Sequence, residues 1–330
     1  MSESNGTLSS RREFLFLYDI KMGNPNGDPD ENRPRVLPDG THYVTDVRLK
    51  RFVRDYIKSQ GKDILVDTIE GKTTNLTGRV AAHLKEHNQK PCEGAELVKI
   101  LLDAFIDARL FGSSFAFKKQ DNWEPVAEPK TLTGAVQIQH GEVKHAAREV
   151  DIHGTSVFGS AEEKTQGTFT TYFGLRYALI AFHGVANQHS AKLSRMTDMD
   201  YDELLKAMWY GVRSAANTRT KRGQVPQVLL SVEYKAGEEF QFGRLSDYVK
   251  LSPRNGKAEP DWASPEDYTV DLSLLADRLS AQVSRIERFR YCLSPDVVVD
   301  PKPGSTEWTA KVACTAEDLA LDQPAEEQGR

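Results

Sequence analysis

The chain has 330 residues, 39% of them hydrophobic and 28% charged, with a net charge of −5. That composition suits one large or two ordinary globular domains with a substantial core, and it excludes a protein drawn to a polyanion by bulk charge. No apolar run approaches the roughly 18 residues of a membrane span, residues 1–10 carry no signal-peptide core, and Cys92, Cys292 and Cys314 are too dispersed for a zinc ribbon or disulfide framework, so the expected setting is cytoplasmic, with no membrane partner.

The last sixteen residues, 315–330, hold five acids and one base, which leaves the rest of the chain near neutral. Any anion binding must therefore come from local clusters of Lys and Arg. Residues 13–22 read as a strand that is apolar on both faces at its centre, and so as a central strand of its sheet. It stops at GNPNGDPD (23–30), where two prolines fix φ and Gly and Asn tolerate positive φ. Such a loop is stiff enough to position a ligand.

Thr45 is a good N-cap for a helix over 45–58. Leu49, Phe52, Val53, Tyr56 and Ile57 form its apolar arc, while Arg48, Lys50, Arg51, Arg54 and Lys58 occupy the other side with Asp55. Charged helix faces usually serve solubility and mix signs. Five bases against one acid point instead to phosphate.

Residues 61–130 are partly helical, with apolar periodicity over 96–110 and Gly112 as a C-cap. A strand is expected at 131–139. Residues 140–167 are polar and irregular, long enough to be a functional excursion or a hairpin touching a neighbouring molecule. A second long strand follows at 169–183, then a helix at 197–217 and a strand at 225–234. The basic turn at 219–223, with Arg219, Lys221 and Arg222, can track phosphates. Further on, 271–290 reads as an amphipathic helix and 315–330 as a disordered acidic tail.

Two motifs are false leads. His83-Leu84-Lys85-Glu86-His87 matches the pattern of inverted zinc peptidases, but no third ligand is evident and Pro91 follows, so a solvated helix face is expected. Residues 28–39 open like a calcium loop, yet Arg33 and Asp39 stand where Gly and Glu are needed. No Walker loop, dinucleotide fingerprint or nucleophile elbow is present. Asp28 and Asp30, which could hold magnesium beside a phosphate, supply the one catalytic idea.

The element order is βαββαβ: an α+β chain with a ferredoxin-like, RNA-recognition-like core and large insertions. Residues 18–29 and 43–51, with ARLFG (108–112), TGAVQ (133–137) and AFHG (181–184), closely resemble the crRNA-binding backbone subunit of type I CRISPR surveillance complexes (Cascade), of the RAMP superfamily and the Csd and Csh branches. The resemblance covers roughly 13–234.

It implies a hand-shaped molecule. The palm would be 11–60, 130–139 and 169–250; the fingers 61–129; the thumb 140–168; and 251–314 a C-terminal extension. It also implies a non-catalytic antiviral role, without cofactor or metal, in which copies of the chain form a helical oligomer along the guide RNA. The remaining partners would be the target DNA strand, through guide pairing, and the 5′-handle-binding, large and small Cascade subunits.

Phosphate contacts are expected from Arg48, Lys50, Arg51, Arg54, Arg219, Lys221 and Arg222. Others are expected from Lys21, Asn24, Asn26, Gln137, His140 and Lys144. The alternatives are a metal-dependent RAMP ribonuclease using Asp28, and a plain protein-interaction module.

Overall fold

The computed structural model describes residues 6–69, 71–119, 123–155, 169–215 and 222–322. In chain order the strands are β1 (Arg12–Gly23), β2 (Tyr43–Val44), β3 (Gly112–Ser114), β4 (Thr131–Thr133), β5 (Val136–Ile138), β6 (Gly141–Val143), β7 (Glu149–Thr155), β8 (Phe169–Ala186), β9 (Gln224–Tyr234), β10 (Lys250–Pro253), β11 (Tyr268–Asp271), β12 (Ile286–Leu293), β13 (Val299–Asp300) and β14 (Ala316–Asp318). The helices are α1 (Asp46–Ser59), α2 (Leu76–Glu86), α3 (Gly94–Ala104), α4 (Ile106–Phe111), α5 (Gln188–Ser194), α6 (Asp198–Ser214), α7 (Ser273–Ala281) and α8 (Thr306–Val312).

The main sheet runs β14-β12-β9-β1-β8-β6-β2, with β5 and β7 also paired to β8. Its centre is β1, antiparallel to β8 (Phe16 opposite Phe182) and to β9 (Phe16 opposite Leu229). With α1 and α6 as the two helices, β9, β1, β8 and β5 pair antiparallel in the order of a βαββαβ core, while β6, in the segment expected as an excursion, pairs with β8 as well. The expected strand at 131–139 is two short ones. They are separated at Gly134, where the chain passes so close to the end of α4 that a Cβ would lie 2.2 Å from the Phe111 carbonyl carbon.

Alternation along β1 feeds two cores. Phe14, Phe16, Tyr18 and Ile20 pack with Leu49, Phe52, Val53 and Ile57 of α1 and with Leu204, Leu205, Met208 and Val212 of α6. The helices touch at Gly211, where a Cβ would stand 2.5 Å from the Phe52 carbonyl oxygen. On the other face Leu15 and Leu17, with Tyr177, Leu179, Val228, Leu230 and Val232, pack under Leu245, Val249, Trp262, Tyr268, Leu275 and Trp308. The segment 245–312 is thus the lid of the sheet's second face, which is why the centre of β1, residues 14–18, is apolar on both faces.

Two sequence expectations fail here. The helix expected over 271–290 stops at Ala281, and Ile286–Leu293 instead pairs with β9 as β12. The tail expected to be disordered from 315 is placed as far as 322. There β14 pairs in parallel with β12, Tyr210 donates to the Leu321 carbonyl (2.8 Å) and Arg213 pairs with Asp322. The remainder, 323–330, lies outside the described residues.

The insertion at 61–129 has its own small core, with Val80, Leu84, Leu97, Leu101 and Phe105 among its members. The excursion expected at 140–168 is partly regular. It contains β6 and β7, and β7 pairs with the start of β8 from Glu149 opposite Leu175 to Thr155 opposite Phe169. Residues 156–168 lie outside the described set.

Two carboxylates of β1, Glu13 and Asp19, are buried on the sheet's second face. Asp19 accepts from the Tyr177 hydroxyl (2.9 Å) and from Gln227 Nε2 (3.0 Å). Burial pushes it from 3.8 up to about 7. Between those values the folded chain holds more proton than the unfolded one, so this group's contribution to stability falls as pH rises through that window and is constant above it. Replacing Asp19 by Asn removes the slope. The unfolding free energy of Asp19→Asn minus that of the parent should rise from pH 4 to pH 7 by about 1–4 kcal/mol, measured by urea titration at each pH. Taking the difference cancels the opposite slope from buried His183, which is pushed down to about 4 by burial.

Candidate nucleic-acid interface

The loop after β1 is built from side-chain-to-backbone bonds. Asp28 Oδ1 accepts the amides of Asp30 (2.9 Å), Glu31 (2.8 Å) and Asn32 (3.2 Å), and Oδ2 accepts that of Arg33 (3.2 Å). These amides hold the Asp28 carboxyl below its usual range, that of Glu31 most strongly. Asn24 is buried and donates to the Asn32 carbonyl (2.7 Å). Asn26 Oδ1 accepts both the amide (2.9 Å) and the hydroxyl (2.8 Å) of Thr45. Asn24 and Asn26, expected as RNA contacts, therefore direct these groups into the loop and onto the start of α1.

Thr45 occupies the N-cap position without a side-chain capping bond. Its hydroxyl is taken by Asn26. The Asp46 amide instead donates to His140 Nδ1 (3.2 Å), and the His140 ring stacks on Tyr43 at 5.9 Å. His140 thus braces the helix start with an exposed ring. Burial raises the Asp46 carboxyl, but the Lys50 ammonium and His140 outweigh it and hold the group below its usual range.

The basic side of α1 is less available than its sequence implies. Lys50 pairs with Asp46 (2.8 Å), Arg51 with Asp55 (2.6 Å), Arg54 with Asp107 (2.8 Å) and Lys58 with Asp67 (2.6 Å). Arg54 is buried, and its partner Asp107 also accepts the Leu65 amide (2.7 Å). It ties α1 to the insertion.

Arg48 differs. Its guanidinium lies 4.3 Å from the Phe52 ring centre, and no carboxylate reaches ion-pair distance among the described residues. Its Nε is buried without a partner, and burial draws the group below its ordinary value. The Tyr18 hydroxyl and both polar side-chain atoms of Gln224, opposite Ile20 on β9, are likewise buried and unpartnered. Orphaned buried polar groups cost about 1–3 kcal/mol each and call for an explanation. Sequence reading missed both: Tyr18 sits inside an apolar strand pattern, and Gln224 falls just before the strand expected at 225–234.

Of the other expected residues, Lys21 is exposed at the end of β1, and its amide donates to the Gly223 carbonyl (3.2 Å), next to exposed Arg222. The structure therefore brings Lys21 and Arg222 to one end of the sheet. Arg219 and Lys221 lie outside the described residues.

Gln137 is opposite Val185, whereas Lys21 is opposite Tyr177, which puts the two roughly 26 Å apart along β8. Lys144 donates to the Ser246 carbonyl (2.9 Å) on the second-core side, and burial lowers its ammonium. Neither joins Lys21 and Arg222. The base of the β7–β8 hairpin is fixed to the loop by Arg33, which stacks on Phe173 (3.8 Å) and pairs with Glu149 (3.3 Å), and by His42 on the same Glu149 (3.1 Å).

A family model described as CRISPR-associated protein Cas7 matches residues 10–273. A CRISPR-associated protein Cas7 of Haloferax volcanii is 30% identical over 297 residues, covering 85% of this chain and 86% of its own length. A chain from a solved structure titled "CRISPR RNA-guided surveillance complex, pre-nicking" superposes with a TM-score of 0.53 at 14% identity, covering 95% of this chain and 97% of that one. At that identity the likeness is one of fold.

The pairing of α1 is open to measurement. Arg54→Ala leaves Asp107 buried without its cation and should destabilise the chain by about 3–5 kcal/mol. Arg51→Ala removes an exposed pair and should cost at most about 1 kcal/mol. Urea denaturation of the two variants distinguishes them.

Proposed function

The chain belongs to the Cas7 family of CRISPR-associated proteins, and we propose that it is a non-catalytic backbone subunit of a Cascade-type complex, assembling in several copies along a guide RNA. It holds phosphates and leaves the bases free to pair with target DNA. The carrying observation is the burial of both sheet faces. Bases cannot stack on the sheet as they do in an RNA-recognition domain. What remains open is the end of the sheet with Lys21 and Arg222, and unpaired Arg48 at the start of α1. That supply of cations suits contact with a sugar-phosphate backbone, without base readout.

The β7–β8 hairpin, rooted on this end through Arg33 and Glu149, is the element suited to act as the thumb, and the insertion at 61–129 to act as fingers. Exposed Met22, next to Lys21 in sequence, and exposed Val36 and Val47 offer apolar area to a neighbouring copy. The guide RNA, the target strand and the other Cascade subunits are the partners this role requires. No helix among the described residues is long and apolar enough to cross a membrane. The cytoplasm is the location that the proposed role, holding a guide RNA, requires.

A ribonuclease would need a carboxylate free to bind metal. Both oxygens of Asp28 already accept backbone amides, so Asp28 is assigned to shaping the loop.

Purified protein should bind single-stranded RNA of any sequence, with log Kd rising linearly with log salt. Lys21→Ala with Arg48→Ala should weaken binding and reduce that slope by roughly 0.7 for each phosphate no longer neutralised. Arg51→Ala, whose cation is already paired, should leave it nearly unchanged. Salt-independent RNA binding, or none, would sink the proposal. Magnesium-dependent cleavage abolished by Asp28→Ala would restore the ribonuclease.

A further inference from the structure

The insertion carries a group of side chains that RNA holding does not use. His83 and His87 stand one turn apart at the end of α2, with ring centroids 4.2 Å apart. The solvated helix face expected for this motif forms only in part: Lys85, Glu86 and His87 are exposed and His83 is not. His83 is only 4% exposed and packs against the Phe105 ring at 4.7 Å. Glu86, which a peptidase would need between them, is turned to solvent. The two rings line a cavity of about 290 Å³ with Asp63, Gln89 and Asp103.

The hydrogen bonds fix both tautomers. His83 Nδ1 lies 2.9 Å from Asp63 Oδ2, and His87 Nδ1 lies 3.0 Å from the His83 carbonyl oxygen. Each of those oxygens is an acceptor, so each Nδ1 carries the proton and each neutral ring keeps its lone pair on Nε2. A carboxylate or carbonyl on one ring nitrogen is the arrangement that orients metal-binding histidines and raises their basicity. His87 is also the C-cap of α2, where the helix dipole favours a cation; Asp63 and Asp103, which line the cavity beside it, are paired with Arg79 and Arg195.

We propose that His83 and His87 form a two-imidazole site for a borderline divalent transition metal, Cu2+, Ni2+ or Zn2+, bound through the two Nε2 atoms. Bonds of about 2.0–2.1 Å to one ion are within reach of rings this close. No group of three His, Cys, Asp or Glu able to hold a metal occurs among the described residues. Water therefore completes the coordination, and Mg2+, which takes oxygen ligands, is refused. The ion would brace the end of α2 against the turn that leads to α3, holding the insertion independently of RNA.

The test uses the untagged full chain, freed of RNA. Titration with Cu2+, Ni2+, Zn2+ and Mg2+ is followed by calorimetry, and the Cu2+ form by electron paramagnetic resonance. We expect one site of affinity order Cu2+ above Ni2+ and Zn2+, no Mg2+ binding, and nitrogen hyperfine structure from two imidazoles, which separates it from residual phosphate. His87→Ala, at an exposed position that leaves folding intact, should weaken binding by tenfold or more and erase the two-nitrogen signature. Asp63→Asn should weaken it by roughly 10–100-fold. If the parent shows no two-nitrogen Cu2+ signal, or if His87→Ala binds as the parent does, the proposal is wrong. Neither result would touch the RNA-binding role, which is read from RNA affinity.

Discussion

The constraint on which this molecule depends is that β1 is buried on both faces. An apolar strand in the middle of a sheet needs two covers, and the chain supplies them from different places. The first is α1 and α6, adjacent to the core strands in sequence. The second is the segment 245–312, which arrives only after the βαββαβ unit is complete. Once both covers are in place the sheet surface is unavailable to any ligand, and the sites left are its ends, its edges and the inserted elements. The location of the candidate interface follows from this, and so does the burial of Glu13 and Asp19 on the second face.

The second theme is internal neutralisation. A body that is nearly neutral can still hold RNA only if some cations escape pairing. On α1 four of five are matched to Asp46, Asp55, Asp107 and Asp67, and those pairs fix the helix to itself and to the insertion. Arg48 escapes because its neighbours are the Phe52 ring and the Tyr18 hydroxyl. One unpaired arginine at the start of a helix, beside a stiff loop that Asn26 joins to the same helix, is a more specific device than a uniformly basic face.

What was legible in the sequence was local. The two-sided apolar run of β1, the turn chemistry of 23–30, the start of α1 at Thr45 and the stop at Gly112 each rest on neighbouring residues, and each was read with its place and kind. What was not legible was made by residues distant in sequence. Asp107 lies 53 residues from the arginine it neutralises, and a helical wheel cannot show it. Asn24 and Asn26 have the composition of ligand contacts, but their partners Asn32 and Thr45 turn them inward. The strand at 286–293 has the composition of a helix end and becomes a strand because β9 offers it an edge. His83 looked solvated until the Phe105 ring closed over it.

The late arrival of the second cover carries a consequence for synthesis. Strand β1 ends at Gly23, while its partners begin at Phe169 and Gln224. At translation rates of about 5–20 residues per second, β1 waits roughly 10–40 s for its second neighbour and longer for the lid. During that interval this apolar strand has no sheet to join, and pairing between strands so far apart in sequence slows the search once the partners exist. The nascent chain is therefore at its most adhesive long before it can fold. Its yield in the cell depends on what holds residues 12–23 apart from other chains while the ribosome finishes the rest.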